Sequence, residues 1–317
     1  MSGGRAVADG GGVPASMEAL RLHRAAGPDA LTLEVIDSPR PGRGEALVRV
    51  RAAAITRDEL TWPVDRLPAT PSYELSGVVA ALGPHVRGVT VGQPVFGLTG
   101  FDRDGVAAEY AAVPARFLAP KPATLGHVEA AAIPLAGLTA WQALFVHGRL
   151  EGGQRVLIHG AAGGVGHLAT QLARWKGAFV IGTASGDAAD LARQLGADEV
   201  LDRTGGFENG LGPVDLVLDT VGGETLARSM SVVRPGGRLV SVAEEPPEDP
   251  GSIEASYFVV EPNREQLVEL AALVQTGGLR PAIDSVFPLA QGPAAFERSM
   301  ARGKRGKVVL RVAGSIV

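Results

Sequence analysis

The 317-residue chain contains no cysteine. Disulfides and thiolate metal sites are therefore excluded, which removes both a stapled secreted scaffold and a cysteine-ligated zinc centre. No uninterrupted apolar run approaches the length a membrane span needs, and the first residues carry no basic-then-apolar leader. Positive charge is not in excess, because 30 Lys and Arg stand against 34 Asp and Glu for a net −4. Without a basic, aromatic-interleaved stripe nothing favours nucleic acid. Internal repeats are absent, and no segment beyond the N-terminal tail is of low complexity. These absences predict a cytoplasmic protein that meets a small molecule, with neither membrane nor nucleic acid as partner.

What is present suits two domains. The chain is too long for one small core, and 45% hydrophobic with 20% charged residues gives ample apolar surface to bury. Residues 1–16, "MSGGRAVADGGGVPAS", are small and Gly-rich without periodicity, so a disordered tail is expected. From Met17 short alternating runs such as "GEALVRVRAAAIT" and "YELSGVVAALG" are broken by Gly and Pro, a texture that predicts an antiparallel barrel. A helix is expected from about Val128 through "AAIPLAGLTAWQALF". Strands and helices then alternate: "DAADLARQLGA" helical, "DEVLD" extended, "PVDLVLDTVGG" a strand and turn, "TLARSMSVV" helical, "GGRLVSVA" extended. That alternation predicts a doubly wound parallel sheet. After about Val260 come two more helices and a last strand, "KVVLRV".

The most informative stretch is Arg155 to Ser185, "RVLIHGAAGGVGHLATQLARWKGAFVIGTAS". Val156, Leu157 and Ile158 suit a strand buried on both faces. Val165, Leu168, Ala169, Leu172 and Ala173 then form one helical stripe, and Gly177 stands where a helix C-terminus favours Gly. Gly160, Gly163, Gly164 and Gly166 fall in the strand-to-helix turn. There a dinucleotide pyrophosphate lies against the free N–H groups of a helix, and glycine permits the tight turn and close backbone approach. Ala161, Gly163 and Gly166 occupy the three places of G-x-G-x-x-G, with alanine in the first.

The order of segments, with "AAIPLAGLTAWQAL", "VLIHGAAGGVGHLATQLA", "LDTVGG", "VVRPGGRLVSV" and "RGKVVLRV", resembles the medium-chain dehydrogenase/reductase superfamily. Within it the chain is most similar to the zinc-free quinone oxidoreductase branch that includes zeta-crystallin and enoyl reductases. The resemblance implies an α/β fold in which a GroES-like β-barrel catalytic domain, residues 17–134 and 260–317, is joined to a Rossmann dinucleotide-binding domain, residues 135–259. It also implies a homodimer. Where metal-bearing relatives have "GHE", this chain reads "SYE", Ser72, Tyr73 and Glu74, so no zinc is expected. The six histidines, scattered without ligand spacing, are read as surface or packing residues.

About twenty residues past the glycines, where an acid would bind the ribose 2′-OH of NAD, stand Thr183, Ala184 and Ser185. A small hydroxyl there fits a 2′-phosphate, and the resemblance likewise implies NADPH, with Arg203 as a source of positive charge and Asp187 as the dissonant carboxylate. The cofactor turn comprises Gly160, Ala161, Ala162, Gly163, Gly164, Val165 and Gly166. Further contacts implied by the family pattern are Thr139, Thr220, Val221, Val242, Phe258 and Lys307.

Without a metal to stabilise an alkoxide, hydride addition to a quinone or to the C=C of an α,β-unsaturated carbonyl is the easier reaction, because charge spreads into the product. Thr56, Arg57, Trp62 and Tyr73 are the substrate-cleft candidates, Thr56 or Tyr73 as a donor to the oxyanion; no general acid is identifiable. A zinc-independent alcohol or ketone dehydrogenase and a crystallin-like nucleotide-binding protein of low turnover stay open. Gly163→Val is expected to abolish nucleotide binding in a protein that still folds; circular dichroism with calorimetric titration checks this, and unchanged affinity in the folded variant refutes the assignment.

Overall fold

The computed structural model describes residues 12–63, 65–203 and 205–312. Of the expected tail, residues 1–11 lie outside the described residues, and the first strand begins at Ser16. Among the described residues seven strands precede the first α-helix: β1 (Ser16–Leu22), β2 (Leu31–Asp37), β3 (Glu45–Ile55), β4 (Glu74–Leu82), β5 (Pro94–Leu98), β6 (Tyr110–Pro114) and β7 (Leu118–Pro120). β1 and β2 pair with each other, while β3, β4, β5 and β7 run consecutively in one antiparallel sheet with β6 on the far side of β3. This is the expected barrel, with Val48, Val50, Leu75, Val95 and Leu118 in one core cluster.

The expected joining helix is broken into three. α1 (His127–Ala131) ends before Pro134, which opens α2 (Pro134–Trp141), and a π-helical turn follows over Gln142–His147. Proline has no N–H to give and a preset φ, so it begins a helix better than it continues one.

The second unit alternates β8 (Arg155–His159), α3 (Gly166–Trp175), β9 (Phe179–Ala184), α4 (Asp187–Gln194), β10 (Glu199–Asp202), β11 (Val214–Asp219), α5 (Gly223–Ser229), β12 (Val233–Ser241) and β13 (Glu254–Tyr257). All pairings are parallel, in the order β10-β9-β8-β11-β12-β13. Successive side chains of a strand point to opposite faces. Accordingly Val156, Ile158, Val180, Leu216 and Leu218 pack with α2 and α3 on one face, whereas Leu157, Ile181, Val217 and Leu239 pack with Phe207 and Leu226 on the other. Burial on both faces is the reason these strands read as continuous apolar runs. β13 was not expected, because its sequence "EASY" is polar and half-exposed, as an edge strand tolerates.

After α6 (Arg264–Gln275) the chain returns to the first sheet through β14 (Ile283–Pro288), α7 (Gly292–Met300) and β15 (Lys307–Arg311), with β15 antiparallel to β3. At the mouth of β15 the Gly306 N–H donates to the Ala162 carbonyl (2.9 Å), which ties barrel to glycine turn. Gly182 in β9 backs the same turn, since a Cβ there would stand 2.6 Å from the Ala161 Cβ. Gly182→Val is therefore expected to destabilise the fold by about 1–3 kcal/mol through overpacking, read as a lower urea midpoint with unchanged m-value.

Candidate active site

Ligands of open parallel sheets bind beyond the strand C-termini where strand order reverses, here outside β8 and β11. Gly160 leaves β8 with φ +66, a left-handed conformation that favours glycine. The Gly163 N–H donates to the Gly160 carbonyl (2.8 Å), and α3 starts at Gly166, whose Cβ would sit 2.0 Å from that carbonyl oxygen. Any larger residue at Gly166 forces helix and strand apart. Ala161 is buried beneath the turn, and Gly163, Gly164 and Val165 remain half-open toward the cleft. This cradle fits a pyrophosphate.

At the adenosine end, Thr183 departs from its expected role. It is buried, and its hydroxyl accepts from the Gly160 N–H (3.2 Å) and meets His159 Nδ1 (3.2 Å), so it braces the turn instead of facing a ribose. His159 is itself buried, with Nε2 2.7 Å from Ser229 Oγ, and His167 holds the Gly163 carbonyl (2.9 Å). Ser185 is half-buried and donates to Asp202 Oδ1 (3.0 Å), while Arg203 is exposed, its N–H on the Ala184 carbonyl (3.3 Å). Asp187 turns away to Arg305 (3.4 Å) beside a cleft of about 470 Å³ between α4 and β14.

The other implied contacts divide. Thr220 anchors the turn after β11 by donating to the His159 carbonyl (2.8 Å), and Val221 is 55% exposed beside it. Asp219, which sequence reasoning missed, gathers that turn by accepting from the Val221 and Gly222 N–H groups and from Ser241. Thr139 is buried with its hydroxyl bonded back to the Leu135 carbonyl (2.7 Å), Val242 packs into the core, and the Phe258 ring stacks on His147. These three serve packing through their side chains.

At the substrate end, Tyr73 meets Trp62 (centroids 5.6 Å) and Phe101 (5.2 Å), and Trp62 and Phe101 also meet edge to face. Phe101 was missed because it lies far along the chain in a Gly-rich loop. The Tyr73 hydroxyl is buried with no hydrogen-bond partner of good geometry among the described residues, and burial pushes its pKa up against the pull of the nearby Arg66 guanidinium. Arg57 is exposed at the lip, and neither Glu59 nor Glu74 turns toward it.

Beneath Thr56 lies a charged cluster absent from the sequence reading. Lys307, expected on the cofactor, has its ammonium 2.6 Å from Glu74 Oε1 and donates to Thr56 Oγ1 (3.2 Å), with its stem along Gly164. Glu74 Oε2 accepts from the Leu135 N–H (2.8 Å), capping α2. Glu59 is fully buried and accepts from the Thr56 and Ser72 N–H groups (both 3.1 Å). Ser72 has φ +64, a strained conformation for a non-glycine residue, and these bonds hold it. Desolvation pushes Glu59 up to about 8, which favours the neutral acid beside the Glu74–Lys307 ion pair.

Residues 42–123 match the family described as "Alcohol dehydrogenase GroES-like domain", and residues 195–310 that described as "Zinc-binding dehydrogenase". The chain is 38% identical over 288 residues to the spectinabilin polyketide synthase system protein NorB of Streptomyces orinoci, covering 84% of this chain but only 13% of that protein. It is 33% identical to the 2-methylene-furan-3-one reductase of Solanum lycopersicum, across 90% of this chain and 75% of the relative. The quinone oxidoreductase from Coxiella burnetii superposes with a TM-score of 0.86 at 32% identity, covering 94% and 99% of the two chains. Fold and site thus define a nicotinamide-dependent oxidoreductase. The chain belongs to the medium-chain dehydrogenase/reductase family.

The titrations make a stability prediction. Glu59 is raised to about 8, so the stability it contributes is full below its unfolded value and is lost as pH rises toward 8. Burial lowers His127, His159 and His167 to about 4, and their contribution is full above about 6.5 and lost as pH falls. Lys304, lowered to about 8, acts only above this window. The melting temperature is expected to peak near pH ~6.5, and Glu59→Gln to flatten the alkaline limb of a thermal-melt series. A limb equally steep in the variant would exclude Glu59 as its cause.

Proposed function

We propose that the protein reduces a quinone, or the C=C bond of an α,β-unsaturated carbonyl, with NADPH and without zinc. The observation that carries this reading is the aromatic cluster of Trp62, Tyr73 and Phe101, which suits a planar conjugated acceptor, in a chain that also builds a glycine cradle for pyrophosphate. When bound, the nicotinamide supplies the hydride. Trp62 and Phe101 orient the acceptor and keep water from its face, and the half-exposed Thr56 hydroxyl is the donor for its carbonyl, with Tyr73 buried behind the aromatic pair. The names of the tomato reductase and of the Coxiella enzyme agree with both substrate classes.

The residues present do not fit a catalytic zinc. Lys307 already occupies the oxygens of Glu74 and Thr56 with a cation, and burial holds the Tyr73 phenol in its neutral form. Among the described residues no three His, Cys, Asp or Glu side chains gather as metal ligands. NADPH over NADH is supported by Ser185 and exposed Arg203 at the strand ends, and by the Arg305 charge that offsets Asp187. The open edge of β13 supports the homodimer. No helix among the described residues is long and apolar enough to cross a membrane, which suits a small-molecule partner.

Calorimetric titration with NADPH and NADH, followed by turnover assays with a quinone, an enone and a ketone, tests the proposal. Preference for NADPH by about tenfold or more, or ~1.4 kcal/mol, with enone- or quinone-dependent oxidation is expected. Preference for NADH would mean that Asp187 or Asp202 reads the ribose, and oxidation only with the ketone would replace the reductase reading.

A further inference from the structure

Thr56 and Lys307 lie 251 positions apart, yet the ammonium donates to Thr56 Oγ1 at 3.2 Å. An ammonium has donors only, whereas a hydroxyl has one proton and two lone pairs. The bond therefore occupies a Thr56 lone pair and turns the O–H away from Lys307. No acceptor for that proton occurs among the described residues, and Thr56 is half-exposed at the cleft. Lys307 is 4% exposed and its partner Glu74 fully buried, so neither moves to meet solvent. Glu59 fixes the Thr56 backbone by accepting its N–H (3.1 Å).

From this geometry we infer that Lys307 is a positioning residue that orients and polarises the Thr56 hydroxyl as the hydrogen-bond donor to the acceptor's carbonyl oxygen. The inference rests on the reductase reading and names the charge behind its oxyanion donor. The acceptor's β-carbon gains the hydride and is reduced as the nicotinamide is oxidised; the C=C pair shifts between the α-carbon and the carbonyl carbon as the C=O pair moves onto oxygen, and a solvent proton at the α-carbon of that enolate restores the C=O bond. Lys307 keeps its own proton throughout, because releasing it would strand the Glu74 carboxylate unpaired in the interior. A donor that is fixed before reaction spends nothing on reorganisation when negative charge develops.

The test compares full-length wild type, Thr56→Val, Thr56→Ser and the charge-balanced double variant Lys307→Met/Glu74→Gln, with NADPH and an enone. Thr56→Val is expected to lower kcat about 10²-fold with KM and NADPH affinity within about threefold, and Thr56→Ser to restore it. Adding Thr56→Val to the double variant is expected to cost clearly less than the about 10²-fold it costs in wild type, since the share that runs through the Lys307 bond is already lost.

A second readout needs no turnover. 4-Nitrophenol bound to the NADP+-loaded protein, titrated by its phenolate absorbance, should ionise about one pH unit lower in wild type than in Thr56→Val. Folded Thr56→Val with unchanged kcat, or with the same nitrophenol titration as wild type, overturns the inference, as does additive loss in the combined variant. Wild type that reduces no acceptor yet shows the Thr56-dependent nitrophenol shift would sink the reductase reading alone; wild type showing neither would sink both.

Discussion

The ion pair between Glu74 and Lys307 is the contact on which the site depends. Taking either charge from water costs several kcal/mol, which their attraction recovers only when the remaining valences are met. Here they are met by the Leu135 N–H at the head of α2 and by the Thr56 hydroxyl. The pair thereby pins three things at one point: the start of β4, the last strand, and the helix that joins barrel to sheet. The adjoining Gly306 N–H carries the same strand to the glycine turn. Complete burial is what raises Glu59 toward its neutral form, with the Glu74 charge adding a smaller push in the same direction, and backbone N–H groups hold it.

The nucleotide side is governed by close approach of backbone to backbone. Gly166 lies against the Gly160 carbonyl, and Gly182 against Ala161, so turn, helix and second strand form one rigid seat. The hydroxyls of Thr183 and Thr220 are spent inside that seat, on the Gly160 N–H and the His159 carbonyl. In the proposed function, selectivity would therefore fall to the groups beyond the strand ends, Ser185, Asp202 and Arg203, and to the bridge between Asp187 and Arg305.

What the sequence made legible follows from the range of its signals. Periodicity and turn chemistry are local, so the parallel strands around Val156 to Ile158, the stripe of α3 and the glycine turn were all readable. β13 escaped because an edge strand need not be apolar. The aromatic wall was half visible, through Trp62 and Tyr73, while Phe101 is brought to it only by the fold. The Glu74, Lys307 and Thr56 cluster had no local signature at all. A lysine opening a strand reads as exposed, and only the antiparallel pairing of Val308 with Ile55 carries it beneath Thr56.

On the proposed reading, the same cluster would make a metal dispensable. A zinc ion would bind the substrate oxygen directly and could support a localised alkoxide. An ammonium acting through one hydroxyl offers a weaker and more distant positive charge, which suffices when the charge it must stabilise is already delocalised over an enolate or a hydroquinone. In that proposal the aromatic cluster would select acceptors of that kind by shape, and the buried pair would hold the donor in place before any arrives. Shape and charge would thus act in the same direction under the proposed function, toward conjugated acceptors and away from simple alcohols.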